Sequence, residues 1–285
     1  MTRQFDRSAE DVGNIITLEH VNTLIPDQSQ AHLFYISGMG FTRDPYVDFG
    51  MRNMWVNLGR QQFHLPVGEP QVVRGVVGLV VPSLQTLEKR LEAVSEKLAE
   101  TQLAWQRVNG RLDVTSPWGN RLEVHERGAF GRMALGMPYV QFEVPLGTTP
   151  GIARFYERVL AAPAEHVSGN NGELARVRIG FEQTLEFRET DAPQPDFDGH
   201  HIAIYLADFS GPHEWLDERG LIAEESNQAQ YRFNHIVDPD SGERLFEVEH
   251  EVRSLSHPMY GRPLVNRNPE QSLSNYVRDN DAFSG

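Results

Sequence analysis

Side chains able to hold a metal recur in this chain at a nearly constant interval. His20 and His64 are 44 residues apart, Gln141 and Glu186 are 45, His201 and Glu247 are 46, and Val76 and Glu123 are 47. Apart from Val76, every one of these positions carries an imidazole, a carboxylate or an amide, the donor types that suit a divalent cation. Such an ion needs several O or N atoms converging at about 2.0–2.3 Å. His201 follows His200 at the head of GHHIAIYLADF (Gly199–Phe209), a polar pair leading an apolar run. The chain has no cysteine, which excludes disulfides, thiolate nucleophiles, Cys-ligated zinc and iron–sulfur clusters.

The elements that must position these residues also repeat. Four runs rich in β-branched residues read as strands: EHVNTLIPD (Glu19–Asp27), GVVGLVVPS (Gly75–Ser83), VQFEVPLG (Val140–Gly147) and HHIAIYLAD (His200–Asp208). Each leads into a helical segment. The clearest is Leu84–Glu100, with leucines at 84, 87, 91 and 98 and charges on its other face. The first and third helices share a Phe-Tyr pair, in HLFYISGMGF (His32–Phe41) and ARFYERVLAAP (Ala153–Pro163). Each unit closes on a strand holding a polar residue: QQFHLP, NRLEVHE, QTLEFRE and RLFEVEHE. SPWGN (Ser116–Asn120) and DPDSG (Asp238–Gly242) have hairpin chemistry. The pattern predicts an α+β chain of four βαβββ units. Its joints lie at His64–Gly75, Arg127–Pro138 and Glu189–Gly199, with the glycine-rich second one dividing two halves. GMGF and GNNG read as isolated turns, and no phosphate loop, dinucleotide fingerprint or nucleophile elbow is present.

From Ile15 to Glu251 this layout resembles the vicinal oxygen chelate superfamily, which includes glyoxalase I, fosfomycin-resistance enzymes, bleomycin-binding proteins and extradiol dioxygenases. The resemblance implies two cup-like modules of two units each, 15–128 and 136–251, followed by an extension, 252–285. It also implies metal ligands projecting inward from first and last strands. Gln141, Glu186, His201 and Glu247 then form a set similar to that of glyoxalase I, with His200 facing away. Glu247 and Glu249 share a strand face, so either is the ligand, and the GTTP turn (Gly147–Pro150) leaves Tyr139 as the alternative to Gln141. The N-terminal module offers His20, His64 and Glu123, with His125 competing for the last place. Two histidines and one carboxylate suit non-haem Fe(II) or Mn(II). In extradiol enzymes the triad comes from the first strands of units three and four and the last strand of unit four. Those positions hold Gln141, His201 and Glu247 or Glu249 here, one histidine short of that pattern. His235, on the strand paired with the last one, and Glu247 are the candidate acid/base residues.

These features imply a divalent-metal enzyme (Fe2+, Mn2+, Zn2+ or Ni2+) acting on a small oxygen-bearing substrate as an extradiol-type dioxygenase or a glyoxalase-type lyase/isomerase. The alternative is a metal-free binding protein of the bleomycin-resistance type. A net charge of −14 argues against nucleic acid and anionic membranes as partners. The polar N-terminus MTRQFDRSAEDVGN and the absence of any apolar run near 18 residues point to a cytoplasmic protein, and a homodimer is compatible with all of this. The tail His250–Pro269 carries Arg253, His257, Tyr260, Arg262, Asn266 and Arg267 without periodicity. It reads either as a lid whose arginines meet a carboxylate-bearing substrate or a neighbouring subunit, or as a surface strap. The last residues read as a frayed or short-helical terminus.

Overall fold

The computed structural model describes residues 5–48, 50–169 and 172–282. The centre of the GNNG turn and the two ends of the polar termini lie outside these residues. All four expected units are present. Unit one comprises β1 (Ile15–Asn22), α1 (Gln28–Ala31) widening into a π-type turn over His32–Gly38, β2 (Thr42–Asp48), β3 (Asn53–Leu58) and β4 (Gln61–Pro66). Unit two comprises β5 (Gly75–Val81), α2 (Leu84–Ser95), β6 (Ala104–Val108), β7 (Arg111–Thr115) and β8 (Arg121–Glu126). Unit three comprises β9 (Gly136–Pro145), α3 (Thr149–Arg158), β10 (Ala164–Gly169), β11 (Gly172–Arg178) and β12 (Thr184–Thr190). Unit four comprises β13 (His201–Leu206), α4 (Ser210–Asp217), β14 (Ile222–Asn227), β15 (Gln230–Val237) and β16 (Arg244–Ser254).

Local chemistry accounts for the elements. Ser83 caps α2 by accepting from the Thr86 N–H, and Leu84, Leu87, Leu91 and Leu98 are buried as their spacing requires. Ser116 and Gly119 close the first expected hairpin turn, and Asp238 and Gly242 close the second. Both Phe-Tyr pairs, Phe34–Tyr35 and Phe155–Tyr156, are core residues beneath their helices. The buried Tyr156 hydroxyl bonds His250 Nε2 at 2.6 Å, so neither group is left unsatisfied.

The units combine differently from the expected modules. One sheet runs β14-β15-β16-β13-β1-β4-β3-β2 and the other β10-β11-β12-β9-β5-β8-β7-β6. Unit one therefore pairs with unit four and unit two with unit three, instead of one with two (15–128) and three with four (136–251). The reason lies in the first strands. Each is hydrogen-bonded on one edge to its own last strand and needs a partner on the other. The short connection 127–135 lays β9 antiparallel against β5, which leaves the free edge of β1 to β13.

The C-terminal extension also begins later than expected, because β16 continues to Ser254. Beyond it the chain crosses back over unit one as a strap. Asn266 exchanges hydrogen bonds with the Gly59 backbone (2.8 and 2.9 Å), Asn57 Nδ2 donates to the Val265 carbonyl (3.0 Å), and Arg262 pairs with Asp44 (2.7 Å). Residues 269–282 form turns without a helix. No helix among the described residues is long and apolar enough to cross a membrane.

Candidate metal centre

The pairing of units one and four brings three histidines together. His20 comes from β1, His64 from β4 and His201 from β13. Their ring centroids lie 5.5 Å (His20–His64), 5.6 Å (His20–His201) and 6.5 Å (His64–His201) apart. One ring nitrogen of each lies within 4.8 Å of the others, the one grouping of this kind among the described residues. Nitrogens around a tetrahedral ion with ~2.1 Å bonds are about 3.4 Å apart, so the rings need close by no more than ~1.4 Å to share an ion.

Register identifies a fourth position. In each unit the first strand runs parallel to the last, and one relation repeats. His64 lies level with Asn22, two residues beyond His20. Glu123 lies level with Gly78, two beyond Val76, and Glu186 with Gln141, two beyond Tyr139. Glu251 lies level with Ala203, two beyond His201. The position equivalent to His64 in unit four is thus Glu251, neither Glu247 nor Glu249. Glu251 Oε2 is 3.5 Å from His201 Nε2, a separation that suits two neighbouring ligands of one ion.

A shell of buried charges orients these groups. Register slips between Leu18 and His20, a β-bulge that lets Glu19 and His20 serve the same site. Glu19 Oε2 accepts from His20 Nδ1 at 2.9 Å, and Glu19 is also bonded by the Tyr205 hydroxyl (2.8 Å) and paired with Arg253. Glu249 Oε1 holds His201 Nδ1 at 3.1 Å and is itself paired with Arg232 at 2.5 Å. An ionised carboxylate only accepts, so both rings in their neutral form carry the proton on Nδ1 and turn the Nε2 lone pair inward, as metal-bound imidazoles do. Arg232 and Arg253 both clamp Glu251 at 2.5 Å. His64 stacks on Trp55, with centroids 4.0 Å apart and planes at 16°.

The titration behaviour follows from these surroundings. Burial lowers the pKa of His20, and burial with the neighbouring histidines lowers that of His64 to about 2, so both rings are neutral. Burial also opposes charge on His201, but the carboxylates of Glu249 and Glu251 beside it outweigh burial and raise its pKa above 6.5. Burial works against ionised Glu19, Glu249 and Glu251 too. The histidines and arginines beside them prevail and hold all three below the usual carboxylate range.

His20 Nε2, His201 Nε2 and both nitrogens of His64 are buried without a hydrogen-bond partner. Buried polar atoms are rarely left so. Three orphaned imidazoles beside an ionised carboxylate are the donor set of a divalent transition-metal ion. The residues fit the group.

The remaining sequence-predicted residues lie elsewhere. Glu123, Gln141 and Glu186 belong to the second sheet. There Tyr139 takes the position equivalent to His20, the alternative that the GTTP turn left open. Its ring packs where a Cβ on Gly78 would sit 2.4 Å from it. Its hydroxyl donates to Glu123 at 2.5 Å and bonds His125 Nε2 at 3.0 Å. Arg111 neutralises Glu123 and Arg176 neutralises Glu186, while Gln141 accepts from Arg188. His235 lies level with Glu247, four residues along β16 from Glu251 and therefore about 13 Å from it. His200 faces away, bonded to Asp198 at 2.6 Å and packed on Phe142 and Phe197. Sequence reasoning missed Glu251, Glu19 and Arg232, and it assigned Arg253 to a lid or strap, whereas that arginine pairs with Glu19 and Glu251. The alternation EVEHEVR does place Glu247, Glu249, Glu251 and Arg253 on one strand face, which is the signal that leads to two of them.

No protein-family model and no curated protein matches the chain. Solved structures do. A "putative dioxygenase" from Bacillus subtilis subsp. subtilis str. 168 aligns over 85% of this chain and 86% of its own, at 17% identity and a TM-score of 0.56. Glyoxalase I from Zea mays aligns over 84% of this chain and 92% of its own, at 13% identity and a TM-score of 0.56. A point mutant of that maize enzyme gives 14% identity, the same coverage and a TM-score of 0.58. At these identities the likeness establishes the fold.

Proposed function

We propose, starting from the two-module vicinal oxygen chelate fold that this chain has, that it is a metal-dependent enzyme acting on a small oxygen-bearing substrate. His20, His64, His201 and Glu251 would hold one divalent ion. The observation that carries this reading is the set of buried, unpartnered ring nitrogens converging from three strands. Such an ion supplies Lewis-acid polarisation of bound oxygens and, if it is redox-active, a route for electrons to O2.

The surrounding residues favour a dioxygenase-type reaction over a glyoxalase-type one. Moving a proton between carbons needs a base whose pKa lies near working pH. The three carboxylates at the centre are each tied to an arginine and held below their usual range, which makes them weak bases. Their role is to fix the imidazoles and offset positive charge. His235 and Glu247 are too distant along their strands to serve this centre.

The test is anaerobic reconstitution with Fe(II), Mn(II), Zn(II) or Ni(II), followed by assays of O2 uptake with catechols and of isomerisation with hemithioacetals. Metal-dependent O2 consumption supports the dioxygenase branch. Isomerisation without O2 moves the assignment to the lyase branch. A protein that retains no metal under any condition is a binding protein that uses the cup alone.

A further inference from the structure

A cleft of about 930 Å3 borders the first sheet on the side crossed by the strap. Glu19, Gln62 and Tyr205 line its inner end, so it stops against the layer that orients His20. Met259–Asn266 of the strap form one wall, and Met133, Leu135 and Phe181 add apolar surface. Glu19 is already committed to His20, Tyr205 and Arg253.

Arg262 enters this cleft from the strap. Its NH2 group donates to Asp44 at 2.7 Å and approaches Gln62 Oε1 at 3.4 Å, while its Nε is buried with no hydrogen-bond partner. Asp44 is also bonded by the Tyr46 and Val47 N–H groups and by Gln62 Nε2. The carboxylate therefore fixes the guanidinium in place without using all its donors. Nη1 makes no hydrogen bond among the described residues, and a guanidinium is shaped to meet a carboxylate. Gln62 and His64 share a strand face two residues apart, about 7 Å. That spacing separates an acid group at Arg262 from the level of the imidazoles by about the length of one ring.

We infer that Arg262 anchors the substrate, and that the substrate is a small carboxylic acid with an apolar or aromatic body lying in this cleft. The inference rests on the metal-enzyme reading for what happens at the other end of the molecule, but the anchor is separable from it.

Calorimetric titration of the full-length, metal-reconstituted chain with phenylacetate and with phenylacetamide, which match in shape and differ in charge, tests this. The acid binds about tenfold tighter or better. Arg262→Gln erases the difference, and Arg262→Lys, which keeps the charge opposite Asp44 but lacks the guanidinium's further donors, weakens the acid severalfold. Both variants retain the wild-type metal content. Asn266→Ala loosens the strap without touching the guanidinium and preserves the preference. Equal affinity for acid and amide, no binding of either, a preference that survives Arg262→Gln, or its loss in Asn266→Ala each overturns the anchor. His64→Ala tests the metal centre apart from it: the ion is lost while the acid preference persists.

Discussion

At the residue scale, Glu19 is not placed as a ligand, yet its bond to His20 Nδ1 sets which nitrogen that ring offers. Glu19→Gln preserves shape but removes the negative charge that meets His20 Nδ1–H and Arg253. Partners of this kind are worth about 10–100-fold in metal affinity. That loss, in competition with a chromophoric chelator, is the expected outcome, and unchanged affinity would show that Glu19 does not orient a ligand. Acid weakens the centre through His201. Its pKa is raised above 6.5 in the metal-free protein, so protons compete for its Nε2 as pH falls through that raised value, from above 6.5 rather than below it. His20 and His64, lowered by burial, stay neutral there and contribute nothing to this window. Metal retention measured across pH 5–9 therefore declines earlier on acidification than an unperturbed imidazole would produce. The three histidines were legible in the sequence because imidazole is rare enough for its spacing to stand out. Glu251 was not, because glutamate recurs at three alternate positions of β16 and spacing alone cannot choose among 247, 249 and 251.

At the element scale, register makes that choice, and register depends on backbone irregularities that composition does not display. The β15–β16 pair slips between Phe233 and His235 and again between Ile236 and Val237. The β1 bulge at Glu19 likewise turns two consecutive residues toward one site. Strand existence was readable from β-branched runs and turn residues, whereas a slip of one or two residues leaves no comparable mark. Gly78 shows the same economy in the second sheet, where a missing side chain gives Tyr139 its place. Gly78→Ala forces that ring aside and costs about 1–3 kcal/mol. In a Tyr139→Ala background the cost largely disappears. Denaturant unfolding of the single and double variants measures the coupling, and additive effects would mean that the two positions do not compete for space.

At the scale of the whole molecule, four similar units have become two unequal cups. The sheet joining units one and four collects three histidines and a clamped glutamate. The sheet joining units two and three carries Val76, Glu123, Tyr139 and Glu186 at the equivalent positions, with Tyr139 and arginines satisfying the carboxylates. The repeat pattern revealed the units but not their partners, since strands of alike sequence do not encode which free edge they meet; that choice came from the short connection 127–135. The strap adds asymmetry, because it ties to unit one through Asn57, Gly59 and Asp44 and packs Tyr260 against Tyr205 of unit four. One divalent ion is expected between units one and four, held by His20, His64, His201 and Glu251. Elemental analysis of the reconstituted full-length chain, beside His201→Ala and Glu123→Ala, tests it most directly. About one ion per chain is expected in the wild type and in Glu123→Ala, with almost none in His201→Ala. Two ions per chain, or an ion lost with Glu123 and kept without His201, would contradict it.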